Sequence, residues 1–579
     1  MLEQCLVSAL FLILLGSLIF TDWPASKIFV GAMLAAYFTG LVDTQEVLDK
    51  ISNSGLITLV LLLLVSVGLE KLSWLNQLSG KLIVSGFTAS LLRLGGVTAL
   101  FSAFVNNTAV VATLAHTVRN NRYHAASKLL IPLSYAAILG GTMTLIGTST
   151  NLIVSSFLED ATGKSLGFFD FFAVGASATL VGLTVLLIIS RYLPEHYAEP
   201  MDVNEYLIEA EVLTGSSLVG RTLAANGLRE MESLFVVEIV RGERLISPVA
   251  PGEYIEAGDK LIFSGDIAQV GVLDSIDGLQ LFAVEAGLLR ENMMEVIVMP
   301  NATIEGKTIK ESGFRSLFDA AVVGMRRGGR RLSGKLGNIT LQAGDNLMLA
   351  TGPDFHNRKN LSKNFVVIDE AVNGSKSTSL QDAFISITLA VVVLLSAIKI
   401  VPLIKGLAFL LICMLALGLV RGSELRRRFP FEIWLIIGSA LTLSQALTNS
   451  GLVAVVADAL HSQLAIHGAY VALIGIYLGT LLLTELMTNN AAAALSFPVA
   501  FGLAESFGVS HMPFVMAVAF GASASFLTPY GYTTNLMVQN LGGYSLGDYV
   551  RAGLPVSLAY SATVLLLLPL TFPFYQPGN

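Results

Sequence analysis

Apolar and polar positions divide this chain into three regions. Up to residue 195, and again from residue 378 to the end, apolar runs approach the ~20 residues a helix needs to cross a bilayer and are separated by short polar interruptions. Between them, over about 200–370, charges are dense and apolar residues come in short β-like runs such as Leu234–Val240 and Lys260–Phe263. Turn residues separate these runs, as expected of a small α/β unit.

In the first region the pattern predicts apolar helices at 4–20, 27–42 and 56–70. A mixed stretch follows at 71–92, flanked or interrupted by Glu70, Lys71, Lys81 and Arg93. Two arms, 94–105 and 109–118, meet at Val105-Asn106-Asn107-Thr108; each is too short to span, so the pair reads as a re-entrant hairpin with a polar tip. An apolar segment at 129–157 and another at 168–190 complete the region. The centre of 129–157, from Gly140 to Asn151, is rich in Gly, Thr, Ser and Asn, a combination tolerated in hydrocarbon only where the backbone lines a cavity in protein. It predicts a broken helix.

The last region repeats this order. Apolar segments at 381–398, 403–420 and 431–449 precede a connector at 450–465. Arms at 466–486 and 491–504 meet at Thr488-Asn489-Asn490, a second broken helix occupies 513–540, and a final helix covers 552–572. Gly147-Thr-Ser-Thr-Asn151 is echoed by Gly531-Tyr-Thr-Thr-Asn535, Pro132 and Gly140 by Pro513 and Gly521, and Ser165-Leu-Gly167 by Ser545-Leu-Gly547. If each hairpin returns to the side it entered from, each half crosses five times, and an odd number inverts the second copy. With the middle region in the cytoplasm, short inside loops carry Lys27, Lys71, Lys81, Arg93, Arg119, Arg122, Lys128, Arg191, Arg421, Arg426, Arg427, Arg428 and Arg551. The outside keeps Lys50, Lys164, Lys399 and Lys405, the asymmetry the positive-inside rule expects, with both chain ends outside.

The middle region is itself duplicated at an offset of 86 residues: Gly220-Arg-Thr-Leu223 pairs with Gly306-Lys-Thr-Ile309, Arg241-Gly242 with Arg327-Gly328, and Gly258-Asp259 with Gly344-Asp345. Two modules of about 80 residues each are expected.

Composition agrees with the pattern. Of 579 residues, 54% are apolar and 13% charged, against roughly 25% charged in soluble domains, which makes this a polytopic membrane protein. The formal charge of −7 gives no reason to expect nucleic acid. Cys5 and Cys413 lie in apolar helical stretches and read as small core residues, and no His or Cys cluster has metal-ligand spacing. No charged n-region precedes Leu6–Phe20, so this reads as a first membrane helix left uncleaved. There is no Walker A sequence, and Gly324 to Gly329 lacks a dinucleotide fingerprint. Nothing supports an enzyme, and no cofactor is expected.

Candidate chemistry lies in the polar interruptions. Asn106, Asn107, Thr108, Thr148, Ser149, Thr150 and Asn151 from one half, with Thr488, Asn489, Asn490, Thr533, Thr534 and Asn535 from the other, are neutral, rich in oxygen and beside unwound backbone. A helix restarting inside the membrane offers free N–H groups to an anion, while carbonyl, Asn and Ser/Thr oxygens suit Na⁺. Glue between helices is the bland alternative for any one of these residues, but glue requires no repeat in matched order. Glu485, the acid beside the second tip, is either a proton or cation partner or a brace for the hairpin. Glu70, Asp170, Asp548, His116, His124 and His511 read as interface or surface residues. The run Arg326, Arg327, Arg330, Arg331 reads as a solvated loop or as a contact for nucleotide or anionic lipid.

Tips, breaks and an inverted copy in this order resemble the divalent anion:sodium symporter family, over about 400 residues in two blocks. Its Ser-Asn-Thr tips correspond to Asn106-Asn107-Thr108 and Thr488-Asn489-Asn490, and its Gly-Thr-Pro-Pro-Asn breaks to 147–151 and 531–535, here without the prolines. The recurring Gly-x-Thr-Leu and Gly-Asp-x-Leu in the middle resemble regulatory modules of the TrkA-C type, a combination found in the family's sulfate-permease branch. The resemblance implies that Asn107 and Asn489 touch both substrate and Na⁺, that Thr108 and Asn490 face the substrate, that Gly147 and Gly531 give carbonyl oxygen to Na⁺, and that Thr148 and Thr533 contact the substrate. Ser149 and Thr534 complete the expected substrate set; Asn106, Asn151, Thr488 and Asn535 complete the Na⁺ set.

The expectation is therefore an all-α polytopic membrane protein with inverted repeats, re-entrant hairpins and broken helices, carrying an inserted pair of cytoplasmic α/β modules. Its parts are membrane repeat 1 at 1–195, regulatory modules at 203–287 and 289–372, and membrane repeat 2 at 378–579. The expected activity is Na⁺-coupled symport of sulfate or a related divalent oxyanion, by a homodimer in the inner (plasma) membrane whose modules take a small regulatory ligand. The alternatives are a succinate- or citrate-type carrier, a proton-coupled carrier using Glu485, and a gated channel.

Overall fold

The computed structural model describes residues 2–21, 23–69, 71–72, 81–119, 121–195, 207–228, 231, 234–242, 244–265, 273, 276–282, 293–299, 302–327, 330–332, 336–352, 354–355, 358, 360–367, 379–398, 400–464, 467–529 and 531–575. Glu70, Lys399 and the expected boundary residues 203, 287, 289, 372 and 378 lie outside these, as do the side chains of His116, Arg330 and Arg331. Residues 196–371, with 539–545, form one compact unit and the rest of the chain another.

The larger unit is helical. Its first half comprises α1 (Leu2–Phe20), α2 (Ala25–Phe38), α3 (Thr44–Ile51), α4 (Ser54–Leu69), α5 (Phe87–Ser102), α6 (Asn107–Arg119), α7 (Ser127–Gly141), α8 (Ser149–Thr162) and α9 (Phe172–Ile189). The second half comprises α10 (Ser379–Ala397), α11 (Leu403–Ala416), α12 (Gly422–Arg427), α13 (Phe431–Asn449), α14 (Leu452–Leu464), α15 (Ala469–Leu486), α16 (Asn489–Ser506), α17 (His511–Ala522), α18 (Thr533–Gly542) and α19 (Leu546–Thr571). Among the described residues, seven helices are long and apolar enough to cross a membrane.

The two halves match down to their caps. Pro24 and Pro402 precede α2 and α11, where a missing N–H costs nothing. Both helices end at a left-handed glycine, Gly40 (φ 76°) and Gly418 (φ 69°), which lets Leu41 N–H reach the Ala36 carbonyl and Leu419 N–H that of Met414, each at 3.0 Å. Two glycines bring the last helix of each half onto the broken segment before it. A Cβ on Gly175 of α9 would stand 2.9 Å from Met143 Cα, and one on Gly553 of α19 would stand 2.7 Å from the Phe526 carbonyl carbon.

Several expectations need correction. The arm expected at 94–105 begins at Phe87, because Arg93 lies on an exposed helical face and does not end the helix. Its guanidinium reaches the Lys81 carbonyl at 3.4 Å. The connector expected at 450–465 holds α14. Cys5 is exposed and Cys413 half-buried, so neither is a core residue.

In the smaller unit, β1 (Leu207–Val212), β2 (Leu234–Arg241), β3 (Arg244–Ile246), β4 (Lys260–Gly265) and β5 (Leu279–Phe282) form one antiparallel sheet in the order β3-β2-β4-β1-β5. β6 (Met293–Val298), β7 (Ala320–Arg327), β8 (Arg330–Arg331), β9 (Asn346–Thr351) and β10 (Phe365–Val367) form a second with the corresponding order β8-β7-β9-β6-β10. Both sheets carry a bulge at the same place, Val237 and Val323. These two residues help form the apolar face the sheets share, with Ile262 from one sheet and Ala321, Met348 and Ala350 from the other.

The duplicated Arg and Asp make equivalent ion pairs. Arg241 Nε and Nη2 donate to Asp259 at 2.8 and 2.9 Å, and Arg327 Nε and Nη2 donate to Asp345 at 2.6 and 2.8 Å. Each Nη2 also donates to a carbonyl, that of Tyr254 or of Thr340, at 2.7 Å. The hydrogen bonds it donates to Asp345 hold the Arg327 guanidinium above its ordinary pKa. Arg327 is thus a structural cation and not part of a solvated loop. Both aspartate side chains are fully buried, so losing the partner strands a charge. Arg327→Ala is expected to cost about 2 kcal/mol, below the range for wholly buried pairs because this Arg is partly exposed. Hydrogen exchange on the full chain should show faster exchange in β7 and β9 with β2 and β4 unchanged.

Candidate functional site

The helix breaks at 142–148 and 523–532 leave peptide groups without helical partners, and buried groups of this kind are costly unless bonded. In the first break, Asn151 Nδ2 donates to the Thr144 carbonyl at 2.8 Å and Leu145 N–H to Phe168 O at 3.1 Å. The Thr144 hydroxyl donates to the carbonyl of Ala103 beside the first tip. In the second, Asn535 Nδ2 donates to Ser525 O at 3.0 Å and Tyr549 OH to Asn535 O at 2.5 Å. Glu485 accepts the N–H groups of Phe526 and Leu527 at 2.9 Å and that of Thr528 at 3.0 Å, together with the Thr528 hydroxyl at 2.8 Å. The second break is three residues longer, and Glu485 meets the extra donors. The geometry therefore favours a brace over a proton carrier.

Bonds between the halves tie the breaks together. Ser134 Oγ on α7 reaches Thr534 Oγ1 at 2.9 Å and Asn535 Oδ1 at 2.7 Å, and Tyr135 OH donates to Phe526 O at 2.6 Å. Thr150 Oγ1 and Ser523 Oγ are 2.8 Å apart. The tips are crossed as well. Asn107 Nδ2, at the first tip, donates to Tyr532 OH of the second break at 2.8 Å, and that hydroxyl lies 3.3 Å from Thr148 Oγ1 of the first. Ser149 Oγ of the first break donates to Asn490 Oδ1 of the second tip at 2.7 Å. The N-termini of α6, α8 and α16 and the residue preceding α18 thus meet in one place. Thr148 precedes α8 without capping it, which leaves first-turn N–H groups of that helix open to an anion.

Among the described residues, two buried oxygens in this cluster lack hydrogen-bond partners, Asn107 Oδ1 and Ser525 Oγ. A Cβ on Gly141 would stand 2.8 Å from Asn107 Nδ2, 3.0 Å from its Oδ1 and 3.1 Å from the Gly147 carbonyl oxygen, so both acceptors border Gly141. At Gly531 a Cβ would meet Ser525 Oγ and, at 2.9 Å, the Thr484 carbonyl oxygen. Each half therefore sets a free side-chain oxygen beside a backbone carbonyl, a donor set suited to a small hard cation.

Of the residues expected from sequence, Asn107, Thr148, Ser149 and Asn490 are joined directly through the bonds above. Gly147 and Gly531 pack within the two free-oxygen clusters. Asn151, Thr534 and Asn535 are buried and bonded within the breaks. Three others are engaged locally: Asn106 Oδ1 accepts the N–H of Thr108 at 2.8 Å, Asn489 Oδ1 that of Asn490 at 2.9 Å, and Thr488 Oγ1 that of Ala491 at 3.4 Å. Thr108 and Thr533 are half-buried at the starts of their helices. Tyr532, Ser134, Ser523 and Ser525 belong to the cluster and were not among the expected site residues. Tyr532 alone carried a signal, standing where the other half has Thr148.

A family profile described as "Citrate transporter" matches residues 10–518. "Uncharacterized transporter sll0640" of Synechocystis is 29% identical over 566 residues, covering 93% of this chain and 92% of that protein. The "Putative sulfur deprivation response regulator" of Chlamydomonas reinhardtii is 31% identical over 567 residues, covering 93% and 96%. "Sodium/sulfate cotransporter 1" of the same alga is 29% identical over 377 residues, which is 62% of this chain and 42% of that protein.

Because Glu485 holds three consecutive peptide N–H groups, Glu485→Gln is expected to lower the melting temperature of the detergent-purified protein. Each buried donor left unmatched costs about 1–3 kcal/mol. The pH dependence of solute uptake should stay that of the native protein, an outcome that separates a brace from a proton carrier.

Proposed function

Because this chain belongs to the citrate transporter family (CitMHS) and is a multi-pass membrane transporter, we propose that it carries sulfate or a related divalent oxyanion together with Na⁺, by alternating access. The observation that carries this reading is the paired arrangement of the cluster. In each half a buried oxygen unpartnered among the described residues, Asn107 Oδ1 or Ser525 Oγ, sits beside a glycine that also borders a backbone carbonyl, and helix N-termini of the two halves are joined by hydrogen bonds. The segments 105–108, 140–151, 487–491 and 522–535 contain no Lys or Arg. Balance for a dianion therefore falls to helix ends and co-bound cations. In this reading Asn107, Thr148, Ser149, Asn490 and the α8 N-terminus face the anion. Gly147 O and Asn107 Oδ1 serve one Na⁺, and Ser525 Oγ and Thr484 O serve another.

The name of the algal sodium/sulfate cotransporter supports both the ion and the anion. The family description favours a second reading, a citrate- or succinate-type carrier built on the same cluster. The matched order of elements in the two halves supports inverted repeats, with α5–α6 and α15–α16 as re-entrant hairpins, and the Lys/Arg asymmetry of the short loops supports both chain ends outside. We assign the duplicated sheets to cytoplasmic regulatory modules of the TrkA-C type in an inner-membrane homodimer.

The reading is tested by radiolabelled sulfate uptake into proteoliposomes with and without an inward Na⁺ gradient. Uptake should rise severalfold with the gradient; equal uptake in both conditions would refute the coupling, and uptake of succinate without sulfate would favour the second reading. Asn107→Ala should abolish uptake while eluting as folded protein.

A further inference from the structure

We infer that Tyr532 sets the size limit of the anion site and supplies one of its hydrogen bonds, so that a compact tetrahedral oxyanion is accepted and an extended dicarboxylate refused. The inference deepens the sulfate reading above and rests on it.

The argument begins with register. The two breaks align residue for residue over Gly147-Thr148-Ser149-Thr150-Asn151 and Gly531-Tyr532-Thr533-Thr534-Asn535, so a phenol stands where the other half has a threonine hydroxyl. Both residues immediately precede a restarting helix. The Tyr532 carbonyl accepts the N–H groups of Asn535 and Leu536 at 3.0 and 3.2 Å, which fixes its backbone at the start of α18. The side chain does not cap that helix. It extends to the opposite half, where its hydroxyl takes the Asn107 amide hydrogen at 2.8 Å and lies 3.3 Å from Thr148 Oγ1.

This position has a chemical consequence. The Asn107 amide is the tip donor assigned to the anion, and in the structure it is held by a neutral hydroxyl. An oxyanion carries acceptors only. It can take the Asn107 N–H in place of the phenol oxygen and accept the phenol hydrogen at the same time, so that each of the two side chains keeps a hydrogen bond, now to a charged partner. Three donors then surround one small anion: Asn107 Nδ2, Thr148 Oγ1 and Tyr532 OH. A threonine at 532, as in the first half, would leave the volume of the phenol ring open. The second carboxylate of a four-carbon diacid would need that volume, and with tyrosine present it is filled. The same ring lies between Asn107 and the second break, so the limit acts at the centre of the cluster and not at its edge.

The test uses the full-length protein in proteoliposomes, with native, Tyr532→Phe and Tyr532→Thr compared for sulfate uptake and for its inhibition by succinate and citrate. Tyr532→Phe keeps the ring and removes the donor. Its sulfate KM should rise about tenfold, as for the loss of one hydrogen bond to a charged group, with the maximal rate within about twofold of native and succinate still ineffective. Tyr532→Thr should lose sulfate affinity to a similar degree and become sensitive to succinate. Sulfate KM and succinate insensitivity unchanged in both variants would overturn the assignment and leave the sulfate reading intact. Native protein that takes up succinate in preference to sulfate would overturn both. Elution and melting temperature of the variants in detergent separate a misfolded protein from one with an altered site, and a threonine variant that melts like native while remaining succinate-insensitive also counts against the size limit.

Discussion

The membrane unit is organised by one constraint, that peptide groups released from a helix inside an apolar slab must find partners within the protein. Two helices are interrupted here, and in both the asparagine that follows the restart turns back to a break carbonyl, Asn151 to Thr144 and Asn535 to Ser525. The two solutions then part. The shorter break is closed by threonine and backbone. The longer one presents three successive N–H groups, more than hydroxyl side chains can take, and a carboxylate answers them. Glu485 aligns by the tip register with Ala103, whose carbonyl serves the first break. The presence of this acid thus follows from the length of the segment it serves.

The same constraint makes the halves interdependent. Ser134 and Tyr135 on α7 complete the second break, and Thr150 at the start of α8 meets Ser523 at the end of α17. Neither break would be satisfied alone. Residues that satisfy backbone are therefore poor candidates for ligand contact, since any motion that freed them would unpair buried groups at about 1–3 kcal/mol each. The groups left with capacity are few: Asn107 Oδ1, Ser525 Oγ, the open end of α8 and the Tyr532 hydroxyl. This distinction narrows the candidate site from a collection of oxygen-rich residues to a handful.

The polar interruptions were legible in the sequence because each stands against an apolar background and recurs in matched order, so Asn107, Thr148, Ser149 and Asn490 could be named before their contacts were seen. Ser134, Ser523 and Ser525 could not, because a single serine in an apolar stretch carries no sign of what faces it; the side-chain partners of Ser134 and Ser523 lie in the other half, and Ser525 Oγ has none among the described residues. The start of α5 was misplaced for a different reason. In the sequence Arg93 reads as an interruption, whereas one cation on an exposed helical face is compatible with an unbroken helix. In the inserted unit the Arg and Asp repeats were visible as text 86 residues apart, but their union as an ion pair arises only when β2 and β4, or β7 and β9, lie side by side.

The way the repeats have diverged separates structure from selectivity. Gly40 and Gly418, Gly175 and Gly553, and Asn151 and Asn535 keep both residue type and job, because each answers a demand of backbone geometry or backbone bonding that exists equally in both halves. Thr148 and Tyr532 share a place and a role in starting a helix through the main chain, yet their side chains differ by an aromatic ring. Backbone satisfaction does not require that difference, since the Tyr532 carbonyl performs the helix-starting role whatever side chain it bears. A symmetric scaffold with an unlike pair at its centre can present an anion with two different walls, one made of a hydroxyl on a short arm and one made of a hydroxyl on a rigid ring. This asymmetry, unlike that of Glu485 and Ala103, lies where the fold is indifferent to it.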